Sequence, residues 1–169
     1  VDLSELAMQQ LFAELGATPR IQVLNDALQR YETDYLTVFV GDIFALNREQ
    51  LGSVDAIYDR AALVALPATL RPRYASHLTA ISAGARQLLI SFDYEQSQLP
   101  GPPFAVLTEE LSELYGQHYE LQALARQPLA GGCTGNPAGA LAAGRAAGPL
   151  PESQPAGSAH HRASPALPA

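Results

Sequence analysis

Asp59 and Arg60 stand side by side inside the apolar run "AIYDRAALVALP", residues 56 to 67. Burying two charges is costly unless each finds a partner or a ligand, so the pair is expected where the chain leaves the core. The short β-branched and aromatic stretch from Val54 to Tyr58 predicts a strand, and Ala61 to Leu66 predicts a helix or turn closing at Pro67. The pair would then mark a strand-to-helix junction, where open α/β sheets bind ligands; a simple surface ion pair also accounts for the same two residues. Two further acids occupy comparable places. Asp2 precedes a helix start, and Asp42 follows the β-rich run Tyr35 to Val40. A carboxylate at a strand end can accept hydrogen bonds from both hydroxyls of a ribose, although an acid beside a helix N-terminus is also favoured by the helix dipole without any ligand. The three strand ends together predict a row of polar groups along one edge of a sheet.

The elements that must carry these residues follow from hydrophobic spacing. In "VDLSELAMQQLFAELGA", Ser4 is a good N-cap, and Ala7, Met8, Leu11, Phe12 and Leu15 recur at helical spacing before Gly16. Val1-Asp2 reads as the last step of a strand. A loop is expected next, and then a hairpin in "ALQRYETDYLTVFVGDIF", turning at Thr33-Asp34. Asn47 can cap a short helix through Leu51. Leu70, Tyr74, Leu78 and Ile81 predict another helix, with Pro72 tolerated in its first turn and Gly84 as the stop. "RQLLISFDYE" supplies a buried strand, "LPGPPFAV" a rigid loop, Thr108 a cap for "EELSELYG", and His118 to Ala125 a last strand. Strands alternating with helices indicate an α/β fold with a mostly parallel, helix-covered sheet.

Composition divides the 169 residues unequally. From Gly131 to Ala169 no aromatic residue occurs and Gly, Ala and Pro predominate, a mixture unable to offset the entropy of ordering, so residues 131–169 are expected to be a disordered tail and 1–130 the folded body. All ten basic residues are arginine, which together with abundant Ala, Gly and Pro points to GC-rich coding DNA and to a shifted reading frame after about Leu129. The net charge of −7 argues against nucleic acid as a partner. Cys133 is the single cysteine, which leaves no disulfide framework and no thiolate metal site and suits a cytoplasmic location. His160-His161 lacks further ligands in a flexible tail, so no metal is expected. No apolar run reaches transmembrane length, and no signal peptide or membrane partner is expected.

In order and spacing, "VDLSELAMQQLFAE", "VGDIFAL", "IYDRAALVALP" with "RYASHL", and "DYEQSQLPGPPFAV" together resemble the thiopurine S-methyltransferase family, bacterial type, over about Val1 to Ala130. The resemblance implies a class I, Rossmann-like methyltransferase domain with S-adenosylmethionine as cofactor, transferring a methyl group to the sulfur of an aromatic or heterocyclic thiol, with selenium-type acceptors also associated with bacterial relatives. It makes Asp2 the ribose acid, puts Asp42 and Ile43 beside the adenine, and puts Arg60 near both substrate and donor. The loop from Pro100 to Phe104, with Pro102, Pro103 and Phe104, would wall the acceptor site. No residue is assigned as a general base, because aromatic thiols ionise readily. The intact protein is expected to be a monomer.

Family members carry a first strand and a Gly-containing turn before the strand that ends at Asp2, and a further basic residue and a closing strand where this chain reads "LAGGCTGNPAG". The chain is therefore expected to be a fragment with impaired activity. Two rivals stay open on the residues alone. A nicotinamide-dependent oxidoreductase also ends a strand with a ribose-binding acid, and a noncatalytic interaction protein could bind a partner by strand addition.

Overall fold

The computed structural model describes residues 1–128 and 138–146. Helix α1 (Glu5–Glu14) leads into a meander of β1 (Arg20–Asn25), β2 (Leu28–Glu32) and β3 (Thr37–Gly41). A short helix α2 (Arg48–Leu51) and strand β4 (Ala56–Arg60) follow, then α3 (Ala62–Ala65), α4 (Arg71–Ile81) and β5 (Arg86–Asp93). Helix α5 (Thr108–Tyr115), β6 (Tyr119–Pro128) and β7 (Ala138–Ala146) complete the described elements. They form two sheets, in the orders β1-β2-β3 and β4-β5-β7-β6. Pairing is parallel between β4 and β5 and antiparallel between β5 and β7 and between β6 and β7. A parallel bridge from Asp2 to Val40 adds a strand-like step to β3, as expected for Val1-Asp2.

The α/β class is observed, and several boundaries differ from the sequence reading. The loop expected after α1 contains β1, whose residues pair antiparallel with β2 although Ile21 and Val23 are exposed. An edge strand of this kind is held by main-chain hydrogen bonds, so it shows little of the burial alternation that sequence patterning detects. The strand expected from Val54 to Tyr58 runs instead from Ala56 to Arg60, so the charged pair belongs to the strand itself. Thr108 opens α5 without capping it: the N-cap position is Leu107 and makes no side-chain cap bond. Asn47 does cap α2, in a reciprocal box with Gln50. Within the expected tail, the backbone of Ala138–Ala146 is strand β7, held by a ladder that composition does not encode. The rest of the tail, with Cys133, His160 and His161, lies outside the described residues.

Three clusters make the core. On one face of the meander α1 lays Met8 and Phe12 against Tyr31 and Val40, with the Phe12 and Tyr31 rings stacked at 6.2 Å. On the other face Leu28, Phe39, Leu46 and Ile81 meet, which joins the meander to the end of α4. The largest cluster packs Leu63, Val64, Tyr74, Leu89, Val106, Leu111 and Tyr115 between β5 and the helices α3, α4 and α5.

Asp59 enters that largest cluster. Only 3% of it is exposed, whereas its neighbour Arg60 points outward, as the two-residue period of a strand requires. The expectation that both charges sit where the chain leaves the core therefore holds for Arg60 and fails for Asp59. The Tyr74 hydroxyl donates to Asp59 Oδ2 at 3.0 Å and the Leu63 amide donates to Oδ1 at 3.3 Å. Burial raises the Asp59 pKa above its ordinary value, against the opposing pull of the Tyr74 and backbone hydrogen bonds.

Two outcomes follow from this packing. Phe12→Ala should lower the unfolding free energy by about 3–5 kcal/mol, read from urea melts, because the cavity it leaves faces the Tyr31 ring. Because the native state holds the Asp59 proton more tightly than the unfolded chain does, stability should fall as pH rises from the ordinary carboxylate value of 3.8 through the raised folded value. The slope is at most about 1.4 kcal/mol per pH unit. Asp59→Asn should remove that slope. Parallel stability curves for the two proteins between pH 3 and 8, a range of about five units, would show that the shift is absent.

Candidate functional site

The two acids at the first strand ends lie on neighbouring strands. The Asp2 amide donates to the Phe39 carbonyl at 3.0 Å, and the Gly41 amide donates to the Asp2 carbonyl at 2.8 Å. Since this bridge is parallel, Asp2 and Asp42 emerge at the same carboxyl edge. Each carboxylate is partly used locally: Asp2 Oδ1 accepts from the Ser4 amide at 2.7 Å and Asp42 Oδ1 accepts from the Phe44 amide at 2.9 Å. Both bonds fix the carboxylate's direction and leave its Oδ2 outside that local bond. Asp2 is half-buried and Asp42 exposed.

Helix α4 holds the turn that follows Asp42. His77 Nε2 lies 2.9 Å from the Ile43 carbonyl and, since a carbonyl only accepts, carries the hydrogen. The Arg73 guanidinium lies 3.8 Å over the Phe44 ring, and that ring meets His77 edge-on at 5.5 Å. Residues 73 and 77 are one turn apart on the same face of α4, so a single helix face fixes the position of Ile43.

Arg60 ends β4 in solvent, and none of the ion pairs among the described residues includes it. Asp59 is turned away from it and instead receives the Leu63 amide of the following turn and the Tyr74 hydroxyl. Immediately afterwards Ala61 adopts a left-handed conformation, φ 76°, which costs a non-glycine residue energy and turns the chain sharply from β4 into α3.

The loop after β5 reaches the same neighbourhood. The Phe104 amide donates to the Val64 carbonyl in α3 at 2.6 Å, and the Val106 amide donates to Phe92 at 2.8 Å. The Tyr94 hydroxyl donates to the Pro103 carbonyl. Gln96 receives the Ala105 amide at 2.9 Å and donates to the Leu99 carbonyl at 2.6 Å. Pro102 and Pro103 are exposed and Phe104 is half-buried. Between this loop and the starts of α4 and α5 lies a cavity of about 500 Å³ lined by Arg71, Tyr94, Gln96, Pro100, Phe104 and Glu110 among others.

The structure thus brings the expected residues together in two groups. Asp2, Asp42 and Ile43 share one strand edge; Arg60 leads into α3, and Phe104, which follows Pro102 and Pro103 in the chain, is bonded to α3 through Val64. Only Phe104 of these lines the cavity. Sequence reasoning passed over Arg71, His77, Tyr94 and Gln96, which position the two groups. One signal was present: Arg71 opens α4, where a cation opposes the helix dipole, so some tertiary partner must select it. Among the described residues no cluster of three or more His, Cys, Asp or Glu could hold a metal ion, and no helix is long and apolar enough to cross a membrane.

Comparison with known proteins gives a consistent assignment. The family described as thiopurine S-methyltransferase matches residues 1–138. A thiopurine S-methyltransferase of Xanthobacter autotrophicus is 48% identical over 134 residues, covering 79% of this chain and 62% of that protein. One from Teredinibacter turnerae is 45% identical over 135 residues, with 80% and 63% covered, and one from Pseudomonas fluorescens is 43% identical over 132 residues, with 78% and 60% covered. The chain spans about three-fifths of the length of these curated relatives. With a family match over residues 1–138 and relatives 43–48% identical over most of its length, the chain belongs to the thiopurine S-methyltransferase family.

Proposed function

We propose that this chain carries the ribose–adenine and acceptor walls of an S-adenosylmethionine-dependent methyltransferase acting on the sulfur of aromatic or heterocyclic thiols. The observation that carries this reading is the parallel Asp2–Val40 bridge, which sets Asp2 and Asp42 side by side on one carboxyl edge, with Ile43 fixed between Asp42 and α4. This arrangement fits the cofactor's nucleoside end: Asp2 Oδ2 is free to accept from ribose hydroxyls, and the Asp42-Ile43 turn offers an exposed polar group beside a half-buried apolar one for an adenine. The family match favours methyl transfer over the hydride transfer of a nicotinamide enzyme.

The cofactor supplies an electrophilic methyl group on a sulfonium sulfur. Asp2, Asp42 and Ile43 would hold the nucleoside end of that cofactor, whose methyl group would pass to the thiolate sulfur as the sulfonium bond gave way to a neutral thioether. Arg60, exposed at the end of β4, provides a cation for the thiolate. The Pro102-Pro103-Phe104 wall orients the aromatic body of the acceptor. Alignment of the three reacting atoms can supply roughly 7 kcal/mol or more, so no general base is required. A monomeric protein in the cytoplasm acting on a small thiol or a selenium-type acceptor is consistent with this reading.

Isothermal titration with S-adenosylhomocysteine tests the donor half. Asp2→Asn should weaken binding by about tenfold or more, the value of charge-assisted hydrogen bonds, whereas equal affinity would remove Asp2 from the site. For the acceptor half, Arg60→Lys keeps the charge but loses the planar fork. It should lower kcat/KM for an aromatic thiol by about tenfold, or ~1.4 kcal/mol, with a smaller change in S-adenosylhomocysteine affinity. Unchanged thiol kinetics would return Arg60 to a surface role.

A further inference from the structure

Arg71 is a guanidinium with 3% exposure and three separate segments as partners. Its Nε donates to the Leu66 carbonyl at the end of α3 at 2.9 Å. Its Nη1 donates to the Ala105 carbonyl at 3.2 Å and lies 2.8 Å from each carboxylate oxygen of Glu110 in α5. The same guanidinium lies 5.7 Å from the centroid of the Phe104 ring. A second constraint bounds that ring. Gly101 has φ +79°, and a Cβ built there would fall 2.5 Å from Phe104 Cδ1 and 2.7 Å from Cε1. The ring therefore occupies the space a side chain at residue 101 would need.

We propose that Arg71 is a positioning residue for the acceptor wall: through Ala105 and the face of Phe104 it sets where the Pro102-Pro103-Phe104 loop stands, with Glu110 holding the guanidinium in place. This rests on the reading of that loop as the acceptor wall. The chemistry requires arginine in particular. A planar fork can donate along separate directions to Leu66, Ala105 and Glu110 and still present a face to an aromatic ring, whereas an ammonium concentrates its donors at one point. Glu110 makes the burial of that cation tolerable, since a buried charge without its partner is strongly unfavourable. The position at the start of α4, unfavourable for a cation on dipole grounds alone, is explained by the same bonds. A ring held by the face of one side chain and by a missing Cβ is located by packing alone, so it responds to either being changed.

The test uses the 169-residue chain with Arg71→Lys and, as an independent variant in the loop itself, Gly101→Ala. Each is titrated separately with 5-thio-2-nitrobenzoate and with S-adenosylhomocysteine, its unfolding midpoint is measured, and amide exchange is followed at Phe104, Val106 and Leu89. Both variants should weaken thiol binding about tenfold while S-adenosylhomocysteine affinity changes less than about twofold. The Phe104 and Val106 amides should lose protection while Leu89 keeps it. Equal losses for the two ligands, or a lower midpoint with thiol affinity intact, would overturn the proposal and leave Arg71–Glu110 a purely structural pair. If the wild-type chain binds no thiol, the acceptor reading itself fails. The positioning claim then stands or falls on exchange: faster exchange confined to Phe104 and Val106 supports it, and unchanged exchange sinks it.

Discussion

A carboxylate withdrawn from water at the end of β4 organises this molecule. Asp59 receives the Tyr74 hydroxyl from α4 and the Leu63 amide from α3, so one side chain ties a parallel strand to both helices that follow it. The cost of burial appears as its raised pKa, and the hydrogen bonds reduce that cost. Because strand side chains alternate, fixing Asp59 inward commits Arg60 outward. The accessible cation at the strand end is thus a consequence of the buried acid beside it, and the left-handed Ala61 then turns the chain from β4 into α3.

From that junction the positioning runs through α4. At its start Arg71 reaches the loop and α5; two and six residues on, Arg73 and His77 reach Phe44 and Ile43; at its end Ile81 enters the cluster beneath the meander. The strand edge bearing Asp2 and Asp42 and the loop bearing Pro102 to Phe104 have no direct main-chain pairing with each other, and this helix supports both. A helix that holds both segments makes their separation a property of one element.

The loop itself shows how an apparently structureless segment is made rigid. Prolines limit its backbone, but its place is decided by bonds to groups outside it: the Tyr94 hydroxyl, both ends of the Gln96 amide, the Val64 carbonyl and the Arg71 guanidinium. Loops carry binding residues effectively when a scaffold holds them in this way.

By itself the sequence determined the local features of this protein. Helical spacing located α1 and α4, Asn47 marked the cap of α2, and the hairpin turn lay at Thr33-Asp34 because these signals act between residues a few positions apart. The acids at two strand ends and the PGPPF loop were legible for the same reason, and the ordered series of motifs carried the family. Only the tertiary structure decided that Asp59 and Arg60 serve opposite sides of a strand, that β1 forms on an exposed edge, and that Arg71 meets Glu110 across 39 positions. Those outcomes depend on main-chain ladders and on partners distant in the chain, which composition and periodicity do not record. A charged residue looks the same in sequence whether water or a buried partner stabilises it, and only packing distinguishes the two.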